Sequence, residues 1–87
     1  MYIHLGEDTV VKLDEVIGIF DMDNTTISKP TRDFLNFSEK RKEVINVSYE
    51  LPKSFIVCSK GRKEKRVYIS QISPATLYKR SGFINSK

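Results

Sequence analysis

VIGIFDMDNTTIS, residues 16–28, joins an apolar run to a polar turn. Val16, Ile17, Ile19 and Phe20 are broken only by Gly18, so the run reads as a strand buried on both faces, and Asp21-Met22-Asp23-Asn24 supplies residues that turn a backbone. A central strand leading into a helix is the expectation, and the rest of the chain is read around it.

The turn also spells Asp21-x-Asp23-x-Thr25, which resembles the nucleophile motif of the haloacid-dehalogenase-type phosphatases. There one carboxylate attacks phosphorus and the second works as general acid or base beside magnesium. Such an enzyme needs a doubly wound domain of more than about 100 residues to bring a hydroxyl, a lysine and a further acidic pair together. This chain has 87 residues, and the acids after Asp23 are Asp33, Glu39, Glu43, Glu50 and Glu64, all singly placed. With no second acidic pair to hold a metal, the aspartates read as turn residues.

Eighty-seven residues make one small domain with a thin core, for which association with further copies is a reasonable way to bury apolar surface. A composition 39% hydrophobic and 30% charged is that of an ordinary soluble chain and excludes a disordered one. The longest apolar run falls far short of the roughly 18 residues that span a bilayer, and the N-terminus carries no basic region followed by an apolar stretch. A cytoplasmic protein is expected. Cys58 is the single cysteine and His4 the single histidine, so neither an internal disulfide nor a metal site is expected. Both read as structural residues on strands, and no cofactor is implied.

The charge is lopsided. Through Ser28, Lys12 alone stands against six acids, a balance of −5, whereas from Lys29 onward fourteen bases face five acids, +9. The basic portion points to a polyanionic partner. The acidic portion reads either as a surface on which copies stack head to tail or as a solvated face that repels nonspecific ligands.

In order along the chain, residues 2–5 and 9–13 read as a hairpin around Gly6-Glu7-Asp8. Ser28 is placed to cap a helix with Pro30 in its first turn, and an amphipathic pattern of Thr31, Phe34, Leu35 and Ser38 runs to about Lys42. Lys40, Arg41 and Lys42 suit the negative end of that helix. Residues 44–47 return to strand. Residues 54–59 and 66–72 form two strands joined through Lys60-Gly61-Arg62-Lys63-Glu64-Lys65. From 60 to 66 five of seven residues are cationic, which is either a solvated tip or a basic β-ribbon shaped for a DNA groove or phosphate backbone. Ser73, Pro74 and Gly82 bound a short C-terminal helix that Leu77 and Tyr78 must dock, and Phe83 and Ile84 follow. The fold class is α+β, with a small, mostly antiparallel sheet, one longer helix and one short C-terminal helix.

Several stretches together resemble a known family. They are Met1-Tyr2-Ile3-His4-Leu5-Gly6, Val16-Ile17-Gly18-Ile19-Phe20-Asp21, Thr25-Thr26-Ile27-Ser28, Asp33-Phe34-Leu35, Leu51-Pro52-Lys53-Ser54-Phe55 and Ile72-Ser73-Pro74-Ala75-Thr76-Leu77-Tyr78-Lys79-Arg80. In register over nearly the whole length, they resemble the RemA/RemB family of small bacterial regulators of extracellular matrix and biofilm genes, and within it the RemB branch. The resemblance implies a DNA-binding transcriptional regulator without enzymatic activity, a single domain over residues 1–87 with a LytTR-like fold, and subunits assembled into ring-like oligomers. Relatives of the RemA branch carry an arginine-rich segment at positions 49–54, associated with DNA contact. Here those positions read Tyr-Glu-Leu-Pro-Lys-Ser, so the carry-over is confined to Lys53.

The reading is therefore a homo-oligomeric regulator that binds double-stranded DNA. Lys60, Arg62, Lys63, Lys65 and Arg66 are expected on phosphates, an assignment from charge alone, with Lys53, Lys79 and Arg80 in support. The alternatives are a structural or adaptor oligomer with weak or lost DNA binding, and the magnesium-dependent phosphatase.

Overall fold

The computed structural model describes residues 1–22, 28–61 and 64–81. Strand β1 (Tyr2–Gly6) turns through Glu7 and Asp8 and pairs antiparallel with β2 (Thr9–Lys12), forming a separate two-stranded sheet. A single 3₁₀ turn, Leu13–Glu15, then leads into β3 (Val16–Asp21). Helix α1 (Lys29–Lys40) starts at Ser28, whose Oγ accepts from the backbone N–H of Thr31, and carries Pro30 in its first turn, where an N–H has no intrahelical partner.

Beyond α1 come β4 (Val44–Asn46), β5 (Ser54–Lys60), β6 (Glu64–Ser70) and α2 (Pro74–Ser81). Ser73 caps α2 as expected, its Oγ accepting from the N–H of Thr76. The four strands order β3-β5-β6-β4. β5 lies antiparallel to both β3 and β6, while β4 runs parallel to β6. The parallel pair follows from the connection: β3 and β4 are joined across the sheet by a helix, and helix crossovers return the chain in the same direction.

This order corrects the expectation for residues 16–20. Among the described residues β3 is an edge strand paired to β5 alone, and only Ile19 of the run is fully buried. Ile17 is 61% exposed and Phe20 45%. The strand buried on both faces is β5, where Ser54 through Cys58 are all buried. An apolar run records that a face avoids water without saying what covers it, and β3 carries its apolar residues on a half-open face. Gly18 is explained locally. A Cβ there would lie 2.7 Å from the Phe20 ring, which rests over the strand and stacks on Phe55 at 4.9 Å between centroids.

Each face of the sheet has its own core. On one side Ile19, Ile56 and Cys58 meet Ile3, Leu5 and Val11 of the hairpin and Leu77 of α2. On the other, Phe55, Val57 and Val67 meet Phe34 and Leu35 of α1. Buried serines hold the first side together: Ser70 Oγ donates to the carbonyl of Leu5 (2.7 Å) and accepts from the N–H of Ile72 (3.0 Å), and Ser54 Oγ donates to the carbonyl of Ile72 (2.7 Å).

Candidate nucleic-acid interface

The β5–β6 hairpin is tighter than expected. Pairing continues to Lys60 opposite Glu64, so the connection shrinks to residues 61–63, and Gly61 takes a φ of +73° that favours glycine. Arg62 and Lys63 lie outside the described residues. Extending the strands fixes where the other cations point, because successive side chains alternate between faces.

Lys60 and Arg66 fall on the face that bears the two-stranded hairpin, since Cys58 of that core pairs opposite Arg66. Lys65 falls on the α1 face. On the hairpin side Lys60 and Arg66 border a depression of about 260 Å³ together with Lys12 of β2, and Glu15 is the acid on its wall. Tyr2, Cys58 and Tyr68 contribute to its lining. Hydrogen bonding to Tyr68, aided by the Tyr68, Glu64 and Glu15 charges, raises the pKa of Arg66 further and keeps the guanidinium cationic. Three cations around one concavity can hold an anion such as a phosphate.

Lys12 is the residue that sequence reasoning missed, being the lone base of an acidic segment. The available signal was the alternation on β2: Val11 is buried, so Lys12 beside it stands exposed, and in the folded chain it borders the depression. At the β4 edge Lys65 and Arg66 join Lys42, Glu43 and Glu64 around a second depression of about 340 Å³.

The remaining expected residues are not gathered there. Lys53 precedes β5 at the other end of the ribbon, seven residues from Lys60, or roughly 23 Å at about 3.3 Å per residue. Its backbone is fixed by its N–H to the Ser70 carbonyl (2.8 Å) and by its carbonyl to the Met22 N–H (2.8 Å), leaving an exposed side chain. Lys79 and Arg80 end α2. Arg80 donates to the His4 carbonyl (3.2 Å) and approaches His4 Nδ1 (3.3 Å), while His4 Nε2 lies 2.6 Å from the Glu7 carbonyl. Arg80 thus ties α2 to β1, and His4 is structural.

Of the phosphatase pattern, Asp21 ends β3 on the surface, while Asp23 and Thr25 lie outside the described residues, as do Gly82, Phe83 and Ile84. Among the described residues no three His, Cys, Asp or Glu side chains group closely enough to hold a metal ion. None of the described helices is long and apolar enough to cross a membrane. Cys58 is buried, and its thiol is pushed up to about 11, first by burial and then by the Glu15 charge.

Residues 2–80 match the family described as RemA-like, extracellular matrix regulatory protein A-like. The chain belongs to that family. It is also 38% identical to extracellular matrix regulatory protein B of Bacillus subtilis (strain 168), over 84 residues covering 97% of this chain and 94% of the relative. The match places the chain with the RemB branch of the RemA/RemB family, among regulatory proteins of the extracellular matrix. Within this RemA-like chain the loop at 47–53 keeps one base, Lys53, and exposes Tyr49 and Leu51 on either side of Glu50.

Proposed function

We propose that the protein is a cytoplasmic, non-enzymatic transcriptional regulator of extracellular matrix and biofilm genes that binds double-stranded DNA as a ring-like homo-oligomer. The observation that carries the reading is the convergence of Lys12, Lys60 and Arg66 on one depression at the end of a β-ribbon whose connection adds Arg62 and Lys63. Family membership supports the regulatory role. Each subunit supplies a few phosphate contacts, weak alone, and a ring makes them act together. Base identity would be read by arginine or by the shape of the duplex, and the phosphate contacts set register. Lys53, some 23 Å along the ribbon from Lys60 by the residue rise, reaches a different part of the duplex. Neutralising Arg62, Lys63, Lys65 and Arg66 together is expected to abolish a gel shift and flatten its salt dependence, and unchanged binding refutes the reading.

The 47–53 loop favours a second reading, an adaptor that assembles through sheet edges and acidic surface with DNA binding weak or lost. Sequence-selective gel shifts by the wild-type protein count against it.

A further inference from the structure

We propose that the apolar groove between β3 and α1 receives the 47–53 loop of a second copy of the chain, which joins subunits head to tail. The inference rests on the oligomer part of the reading above and names the surfaces that would make it.

The groove encloses about 410 Å³ on the α1 face of the sheet. Its floor is Ile17, Phe20, Phe55 and Val57, its wall is Pro30 and Phe34 of α1, and Lys65 stands at one end. The volume falls within the range of roughly 300–1,000 Å³ typical of built binding clefts. Ile17 and Phe20 expose large apolar area here, although Gly18 lets Phe20 lie flat against the strand instead of projecting into solvent.

The loop has the complementary shape and charge. Tyr49 is fully exposed and Leu51 is 79% exposed, with Glu50 between them. An apolar pair on a free loop would cost ordering entropy to bind, but this loop is already held. Val47 N–H donates to the Ile69 carbonyl (2.9 Å), Lys53 N–H to the Ser70 carbonyl (2.8 Å) and Glu50 N–H to Ser48 Oγ (3.1 Å). Glu50 and Glu7 border one depression at this end of the molecule, and Lys60, Lys65 and Arg66 lie at the other. Among the described residues neither Glu50 nor Lys65 takes part in a salt bridge. Seating Tyr49 and Leu51 on Ile17 and Phe20 would bring Glu50 of one copy toward Lys65 of the next on the α1 face, and leave Lys60 and Arg66 free on the hairpin face.

The loop does not fill its own groove, since Tyr49 and Leu51 stand exposed. It leaves β4, passes Glu7 on the hairpin side and ends beside β3, where the Lys53 carbonyl accepts from the Met22 N–H (2.8 Å), whereas the groove opens on the α1 face. Two different patches make a heterologous contact, which propagates from copy to copy and closes into a ring when the rotation permits.

The test is sedimentation velocity on the full chain, with circular dichroism confirming that each variant is folded. Ile17→Asp spoils the groove and Leu51→Asp spoils the loop, both at exposed positions. Wild type is expected to form species larger than a dimer, and each variant to remain monomeric at ten times the concentration at which wild type assembles. An equimolar mixture of the two variants retains one good groove and one good loop, so it should yield a heterodimer and nothing larger. Glu50→Lys and Lys65→Glu should each weaken assembly and together restore it. Variants that assemble like wild type overturn the assignment of surfaces while leaving an oligomer standing. A mixture without heterodimer overturns the head-to-tail pairing, and a wild type monomeric throughout overturns both the joint and the oligomer.

Discussion

Ser70→Ala should destabilise the domain far more than the loss of one hydroxyl suggests. Ser70 is wholly buried, and its Oγ serves two backbone groups at once, the Leu5 carbonyl at 2.7 Å and the Ile72 N–H at 3.0 Å. The first bond joins the N-terminal hairpin to the four-stranded sheet; the second fixes the approach to α2. Alanine leaves both groups without a partner. A buried unsatisfied group costs about 1–3 kcal/mol; Leu5 is fully buried but Ile72 only half so, which puts the sum near 3 kcal/mol. For a domain of this size each kcal/mol lowers the melting temperature by about 4–8 °C, so a fall of roughly 12–24 °C is expected. Urea titration followed by circular dichroism, at fixed protein concentration, should show a lower midpoint at unchanged slope. Ser59→Ala is the control: its hydroxyl donates to the Gly61 carbonyl at an exposed site and should cost under about 0.5 kcal/mol. A Ser70→Ala effect as small as the control's would refute the claim that this hydroxyl holds the hairpin to the sheet.

Three further outcomes are expected. Replacing Lys12, Lys60 and Arg66 together with Gln should lower the slope of log binding constant against log salt by about 0.9 for every phosphate no longer neutralised, roughly 2.7 for each engaged subunit. Leu77→Ala, which empties a fully buried site under α2, should cost about 2–5 kcal/mol in the same urea titration. Cys58, whose thiol pKa is pushed from 9.0 up to about 11, stays protonated in the fold where the unfolded chain has begun to ionise. Its contribution is therefore whole below pH 9.0 and is lost as pH rises toward 11, since the unfolded state then binds fewer protons. The alkaline fall in stability should be shallower in Cys58→Ala, and a thiol reagent at pH 8 should label native protein much more slowly than denatured protein.

Local chemistry in the sequence located most elements. Ser28 with Pro30 and Ser73 with Pro74 mark the two helix starts, and the hydroxyls of both serines accept the first-turn N–H groups as the residue types require. The hairpin around Glu7 and Asp8 and the β5–β6 ribbon were equally readable from β-branched runs between turn residues. Position within the sheet was not. Val16–Asp21 is apolar enough for a central strand, yet it sits at an edge, because hydropathy reports the need for cover and not its source. Ser54 and Ser70 read as ordinary polar residues, since only the folded chain shows the carbonyls 18 and 65 residues away to which they donate. The candidate site divided the same way. The cationic tip is plain in the composition of residues 60–66, while Lys12 joins it only because β2 folds against the ribbon, and Arg80 is drawn off to the His4 carbonyl.

The most direct test of the regulator reading is fluorescence anisotropy of a labelled matrix-gene promoter fragment and a scrambled duplex, each titrated across a salt series. Tight binding selective for the promoter, weakening steeply with salt, is the expected result for a multivalent DNA regulator. Equal, weak binding to the two duplexes would contradict it.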